Sequence, residues 1–213
     1  MVEKKNKRPW RSGVGGLWKK IGKLQFDFLV KEGLKPEHFL LDVGCGSLRG
    51  GLYFIKYLKE RHYFGIDKNS QFLEGGKTEL YENDLINKKP VLRLMENFDF
   101  VTLNQTFDYV LAQSVFTHLE EDKIKLCLKN IEKILEQNGK FYATFFESRL
   151  DLYNEPIIHQ IIDGKLITYH DKNPYHHPFS FFQKLCDGTS LVVRYIGEWN
   201  HPRDQHIMVF TKK

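Results

Sequence analysis

No stretch of the 213 residues approaches the roughly 18–20 consecutive apolar side chains that a membrane-spanning helix needs, so an integral membrane protein is excluded. Cysteine is scarce. Cys45, Cys127 and Cys186 are too few and too scattered for a disulfide framework or a zinc cluster, and a reduced, cytoplasmic protein is expected. The opening MVEKKNKRPWRSG places no apolar stretch behind its basic residues, so it does not read as a secretory signal. There is no internal repeat, and no low-complexity segment beyond the lysine-rich first eight residues. The body of the chain also lacks charge of one sign. The formal +5 is concentrated in residues 1–23, where eight basic residues face one acid, Glu3, giving +7 there and about −2 over the remainder. A protein-wide nucleic-acid surface is therefore not expected. Residues 1–16 read as a basic, flexible arm, and only there is an anionic partner within reach.

What is present is globular: 41% apolar, 14% aromatic and 28% charged residues, enough for one domain with a real core over residues 17–213. Leu17, Ile21, Leu24 and Phe28 recur at helical spacing, and Gly33 and Pro36 stop that helix. Phe39–Val43 is a buried strand ending at glycine. Leu48, Leu52, Ile55 and Leu58 then predict a helix, and residues 62–66 a second strand ending at Asp67. Ser70 is placed to cap a third helix, weakened by Gly75 and Gly76. Val91–Leu94 and Phe107–Ala112 read as strands. Thr117 to Glu120 has capping-box spacing before a helix with Ile124, Cys127, Leu128, Ile131 and Leu135 on one face, expected to stop at Asn138-Gly139. Phe141–Phe146 is a fifth strand, Phe179–Cys186 a short helix, and Leu191–Ile196 with His206–Thr211 an antiparallel pair. Residues 148–178 show no regular pattern. Alternating strands and helices predict a doubly wound α/β domain with an antiparallel end.

In such a sheet ligands bind beyond the carboxyl ends of the strands. The first strand ends in Asp42-Val43-Gly44-Cys45-Gly46-Ser47-Leu48-Arg49, whose glycines permit a sharp turn and close approach to a helix N-terminus. Asp67 at the tip of the second strand suits a carboxylate accepting two ribose hydroxyls. A dinucleotide loop wants a third glycine where Arg49 stands, and Asp42 is awkward beside a pyrophosphate. An acid there suits a ligand with a cationic end, such as a sulfonium amino acid.

These residues, together with Phe107–Ala112 and Ser114–Leu119, resemble the cofactor signature of the class I S-adenosylmethionine-dependent methyltransferases. The resemblance implies a seven-stranded, mostly parallel Rossmann-like sheet with an antiparallel last strand. It implies that Gly44, Cys45 and Gly46 line the methionine half of S-adenosylmethionine with Asp42 near its ammonium. Asp67, with Lys68 and Asn69 alongside, would take the ribose. Glu96, Asn97 and Phe98 would flank the adenine, and Gln113 and Ser114 would lie beneath the sulfonium. A neutral acceptor needs a base. His118 is the first candidate, at an expected helix start, and His201 the second. His170, His176 and His177 have no ordered spacing, so no metal is expected. The chain lacks the motifs of nucleobase methylation, which favours a small-molecule acceptor for an oxygen or nitrogen methyltransferase. A cofactor-binding module with an RNA or protein partner on the basic arm, and a nicotinamide-dependent oxidoreductase, are the competing readings. Nothing in the sequence fixes the oligomeric state.

Overall fold

The central strands of the main sheet are buried on both faces, which is why they read as short unbroken apolar runs rather than alternating ones. The computed structural model describes residues 8–213; residues 1–7, with much of the arm's lysine, lie outside the described residues. In chain order the elements are α1 (Pro9–Gly13), α2 (Trp18–Lys31), β1 (Leu40–Val43), α3 (Gly51–Tyr57), β2 (Tyr63–Asp67), α4 (Ser70–Glu82), β3 (Val91–Leu94), β4 (Phe107–Ala112), α5 (Glu121–Ile134) and β5 (Leu135–Glu147). They continue with β6 (Ile157–Ile161), β7 (Gly164–Thr168), β8 (His176–His177), α6 (Phe179–Leu185), β9 (Leu191–Gly197) and β10 (His206–Lys212).

The sheet runs β3-β2-β1-β4-β5-β10-β9, with β1 to β5 parallel and β10 antiparallel to both of its neighbours. The expected seven-stranded sheet with an antiparallel last strand is present, and β8 adds a short parallel pairing at the end of β5. Alternate residues of each strand feed two cores. Leu40, Tyr109 and Tyr142 pack with Leu29, Phe54 and Leu80, while Leu41, Val110 and Phe141 pack with Ile124, Ile131 and Phe182. The chain reverses strand order between β1 and β4, and their carboxyl ends open a crevice there.

Several boundaries differ from the sequence expectation, each for a local reason. Leu48 has a φ of 70°, so the first loop runs on to Gly50 and α3 begins only at Gly51. Asn69, not Ser70, caps α4: its side chain accepts from the backbone N–H of Gln71 (2.9 Å) and Phe72 (3.4 Å). The Thr117 capping box does not form. Residues 116–118 make a single 3-10 turn and α5 starts at Glu121, so His118 is not at a helix N-terminus. α5 ends at Ile134, and β5 starts at once. Phe107 pairs with Leu135 but Tyr109 with Lys140, so residues 136–139 are looped out and Asn138-Gly139 is a bulge inside β5. Residues 148–178, without pattern in the sequence, hold the separate β6–β7 hairpin and β8.

Candidate active site

Loops from the carboxyl ends of β1 to β4 enclose a cavity of about 990 Å³. Asp42, Gly44, Cys45, Gly46, Asp67, Lys68, Glu96, Phe98, Gln113, Ser114 and His118 all line it. Three of the expected residues do not. Asn69 sits just outside as the cap of α4, its N–H donating to Asp67 Oδ1 at 2.8 Å. Asn97 is exposed and turns its side-chain oxygen to the Asp99 N–H. His201 lies behind the wall, stacked on Trp199 and 3.1 Å from Gln113 Nε2. Burial, aided by Arg49 and Arg203, pushes the His201 pKa down to about 3. Its expected place among the acceptor-side bases is corrected by that burial.

Asp42 is buried on the β1 end and accepts a hydrogen bond from Tyr63 Oη at 2.7 Å. Desolvation raises its pKa to about 7; the Tyr63 bond works against the rise and the nearby Asp67 adds to it. Asp67 is also raised by burial, opposed by N–H groups that fix both of its oxygens, Gly46 to Oδ2 at 2.9 Å and Asn69 to Oδ1 at 2.8 Å. The Cys45 thiol is buried and its pKa is well above normal, so it is a packing group rather than a nucleophile. Ser114, at a φ of 57°, donates its N–H to Thr144 Oγ1 (2.7 Å), and its hydroxyl reaches Gln205 Oε1 (2.9 Å).

The segment before α2 packs against this cavity. Gly13, Val14 and Gly15 form part of its wall. The segment is held by Glu79, a fully buried carboxylate on α4, which accepts from Trp10 Nε1 (2.9 Å) and from Arg11 Nε and Nη2 (2.7 and 2.6 Å), with Arg8 at 3.3 Å. Burial alone would raise the Glu79 pKa, but these bonds outweigh it and hold the carboxylate below its usual range. Further along, Ser47 Oγ donates to Trp10 O, Arg49 Nη1 donates to the carbonyls of Val14 (2.7 Å) and Gly16 (3.1 Å), and Arg203 donates to Gly15 O. Gly75, which costs α4 helix propensity, is required here: a Cβ would come within 2.5 Å of the Trp10 ring. Sequence reasoning did not find Glu79. Its signal was a lone acid among the inward-facing Gly76 and Leu80 of α4.

The far end of the cavity is built by the irregular region: Phe146, Ile161, Leu166, Asn173 and Tyr175, with Glu120 and Lys123 from the start of α5. His118 Nδ1 lies 2.6 Å from Asn173 Oδ1, a residue the sequence gave no reason to select. An oxygen there accepts a hydrogen from Nδ1, and in the neutral ring that tautomer leaves the lone pair on Nε2.

The family model described as a methyltransferase domain matches residues 41–141, from β1 into β5. That stretch, nearly half of the chain, is similar to a methyltransferase domain. The chain is 20% identical over 170 residues to the Bacillus subtilis protein described as uncharacterized methyltransferase YcgJ. That match covers 79% of the chain, and the chain spans only 62% of the length of that relative. Among solved structures it is similar in fold to the magnesium protoporphyrin IX methyltransferase of Synechocystis with bound S-adenosylmethionine (TM-score 0.65, 13% identity, 91% of this chain and 81% of that one). The glycopeptide N-methyltransferase MtfA complexed with S-adenosylmethionine has the same fold (TM-score 0.65, 15% identity, 90% and 94%).

The chain's own residues fit S-adenosylmethionine. Gly44 and Gly46 have φ of 70° and 56°, and a Cβ on either would come within 2.6 Å of Val115 or Val14, so only glycine leaves the shelf open. Asp67, when ionised, has a second lone pair on each fixed oxygen for a vicinal diol. Gln113 Oε1 is buried on the wall without a hydrogen-bond partner among the described residues.

Proposed function

We propose that the chain transfers the methyl group of S-adenosylmethionine to an oxygen or nitrogen of a small-molecule acceptor. The observation that carries this reading is one continuous cavity with two unlike ends. The glycine shelf, Asp42 and Asp67 form one end; His118 and the residues of the 146–175 region form the other. When bound, S-adenosylmethionine supplies an electrophilic methyl group on a sulfonium. On this reading Gly44, Cys45 and Gly46 cradle the methionine half, and Asp42 offers its carboxylate to the ammonium. Asp67, steadied by Asn69, accepts the ribose hydroxyls with Lys68 beside it, and Glu96 and Phe98 border the adenine. Gln113 and Ser114, held by Gln205 and Thr144, floor the reacting centre. His118 Nε2 takes the acceptor's proton, and Asn173 holds the ring for it. The strap over residues 8–16 excludes water from the cofactor end. Residues 17–213 act as one catalytic domain.

Two facts count against the competing readings. Arg49 is spent on the strap's carbonyls rather than offered to a pyrophosphate, and Arg8 and Arg11 are engaged by Glu79 and Glu82 rather than presented to an anionic partner. Calorimetric titration with S-adenosylmethionine and S-adenosylhomocysteine, with a nicotinamide dinucleotide as control, tests the reading. Micromolar binding of the first pair alone is expected, and binding of the dinucleotide instead would overturn it.

A further inference from the structure

We infer that the acceptor carries a protonated amine, seated in a side pocket at the far end of the cavity, where Glu120, Asp171, His177 and two tyrosines converge. This rests on the methyl-transfer reading above. The side pocket holds about 200 Å³ and shares Glu120 and Tyr175 with the main cavity, so one molecule can occupy both. Glu121, Tyr153, His170, Asp171 and His177 complete its walls, and no lysine or arginine is among them. Glu121 is already paired with Lys125 at 2.7 Å, whereas Glu120 and Asp171 form no ion pair among the described residues. Both lie near enough to Tyr175 to add to the effect of burial in raising its phenol pKa.

Acidic residues at a protein surface are usually only solvated, so the second observation decides. His177 is 4% exposed, yet neither ring nitrogen has a hydrogen-bond partner among the described residues. A buried imidazole left that way costs free energy that a ligand can recover. Burial, with His176 adding to it, pushes its pKa down to about 4, so the ring is neutral and one nitrogen is an acceptor. The ring is held against Phe181, centroids 4.1 Å apart and nearly parallel, and Tyr175 lies on nearly the same plane direction at 6.4 Å. The pocket therefore presents two carboxylates, an imidazole lone pair and tyrosine rings. Anions would be repelled. A metal ion would need three convergent His, Cys, Asp or Glu ligands, and no such group occurs among the described residues. An ammonium donates to the carboxylates and to His177, and its charge is favoured over the tyrosine rings.

The test uses the full chain saturated with S-adenosylhomocysteine and two probes of matched shape. These are tyramine, a cation, and 3-(4-hydroxyphenyl)propionate, an anion, each titrated by calorimetry. Tyramine is expected to bind and the propionate to bind at least tenfold more weakly, roughly the loss of one charge-assisted contact. The double variant Glu120→Gln, Asp171→Asn should weaken tyramine by about tenfold or more while leaving the affinity for S-adenosylhomocysteine unchanged. Both side chains are exposed, and Glu120, although the N-cap residue of α5, makes no side-chain capping hydrogen bond, so the fold is expected to survive the change, as circular dichroism would check. Equal binding of the two probes, binding of neither, or a double variant that binds tyramine as the parent does would overturn the proposal. Failure of S-adenosylhomocysteine to bind strikes the function reading instead, and repeating the probe pair on the protein alone then reads the side pocket by itself.

Discussion

Asp42 shows how one buried carboxyl sets a pH dependence. Its pKa is about 7 in the fold against 3.8 unperturbed, so between those values the folded chain holds a proton the unfolded chain has released. Its contribution to stability is thus fully present below pH 3.8 and is lost as pH rises through about 7. A cationic cofactor end prefers the ionised carboxylate and expels that proton. Affinity for S-adenosylmethionine should therefore tighten from roughly pH 5.5 to 7 and level off above. Calorimetry on Asp42→Asn should show most of that slope gone, the remainder coming from Asp67, whose pKa is raised in the same direction. An unchanged slope would place the titrating group elsewhere. Asp67→Ala should lose cofactor binding with its circular dichroism intact, because Asp67 bonds only to nearby loop N–H groups. His118→Ala should lower kcat by about 10²–10⁴ while leaving cofactor affinity unchanged, as expected of a proton acceptor that does not touch the cofactor. Asp42, the glycine pair and Asp67 were legible in the sequence because they sit at fixed offsets from strand ends. His201 was misplaced because the sequence put its loop at the ligand edge but not the depth of its ring.

At the scale of elements, the decisive contact is α1 on α4. The nine residues of the strap around α1 have no core of their own, and none of α1 is buried. Its position depends on one buried carboxylate receiving three side chains. Glu79→Gln removes that charge, leaving Arg11 without its ion pair and Arg8 with Glu82 alone. Because both arginines are partly exposed, the expected cost is about 1–3 kcal/mol, below the full penalty of a broken buried pair. Faster dissociation of S-adenosylmethionine in stopped-flow should accompany it, and an unchanged off-rate would show that the strap does not gate the cofactor. Nothing local in the sequence shows what holds the strap down, since Glu79 is 68 residues from Arg11. The β6–β7 hairpin was unread for a different reason. Its alternation is short, and much of it is exposed, so the pattern is weak even with Asp163-Gly164 at the turn.

For the whole molecule, a ligand that binds only the folded state adds to its stability. Saturation at 100 times the dissociation constant contributes about 2.7 kcal/mol, which for a chain of this size raises Tm by roughly 5–10 °C. S-adenosylhomocysteine should produce that shift in thermal denaturation and a nicotinamide dinucleotide should not. The architecture that makes this possible was already determined by the sequence. Short apolar runs separated by helical periods admit little but a doubly wound sheet, and the glycine turn after β1 with the acid after β2 locates the ligand edge. These are local signals, carried by neighbours along the chain. Only the tertiary structure decided what closes the site and what the acceptor meets. The strap on Glu79, Asn173 against His118, and Glu120 and Asp171 beside the unpartnered His177 join residues about 50 or more positions apart, or surfaces whose burial no local pattern encodes. Burial is the largest influence that lowers the His177 pKa and raises that of Asp42 to about 7, and burial is a property of the packed chain.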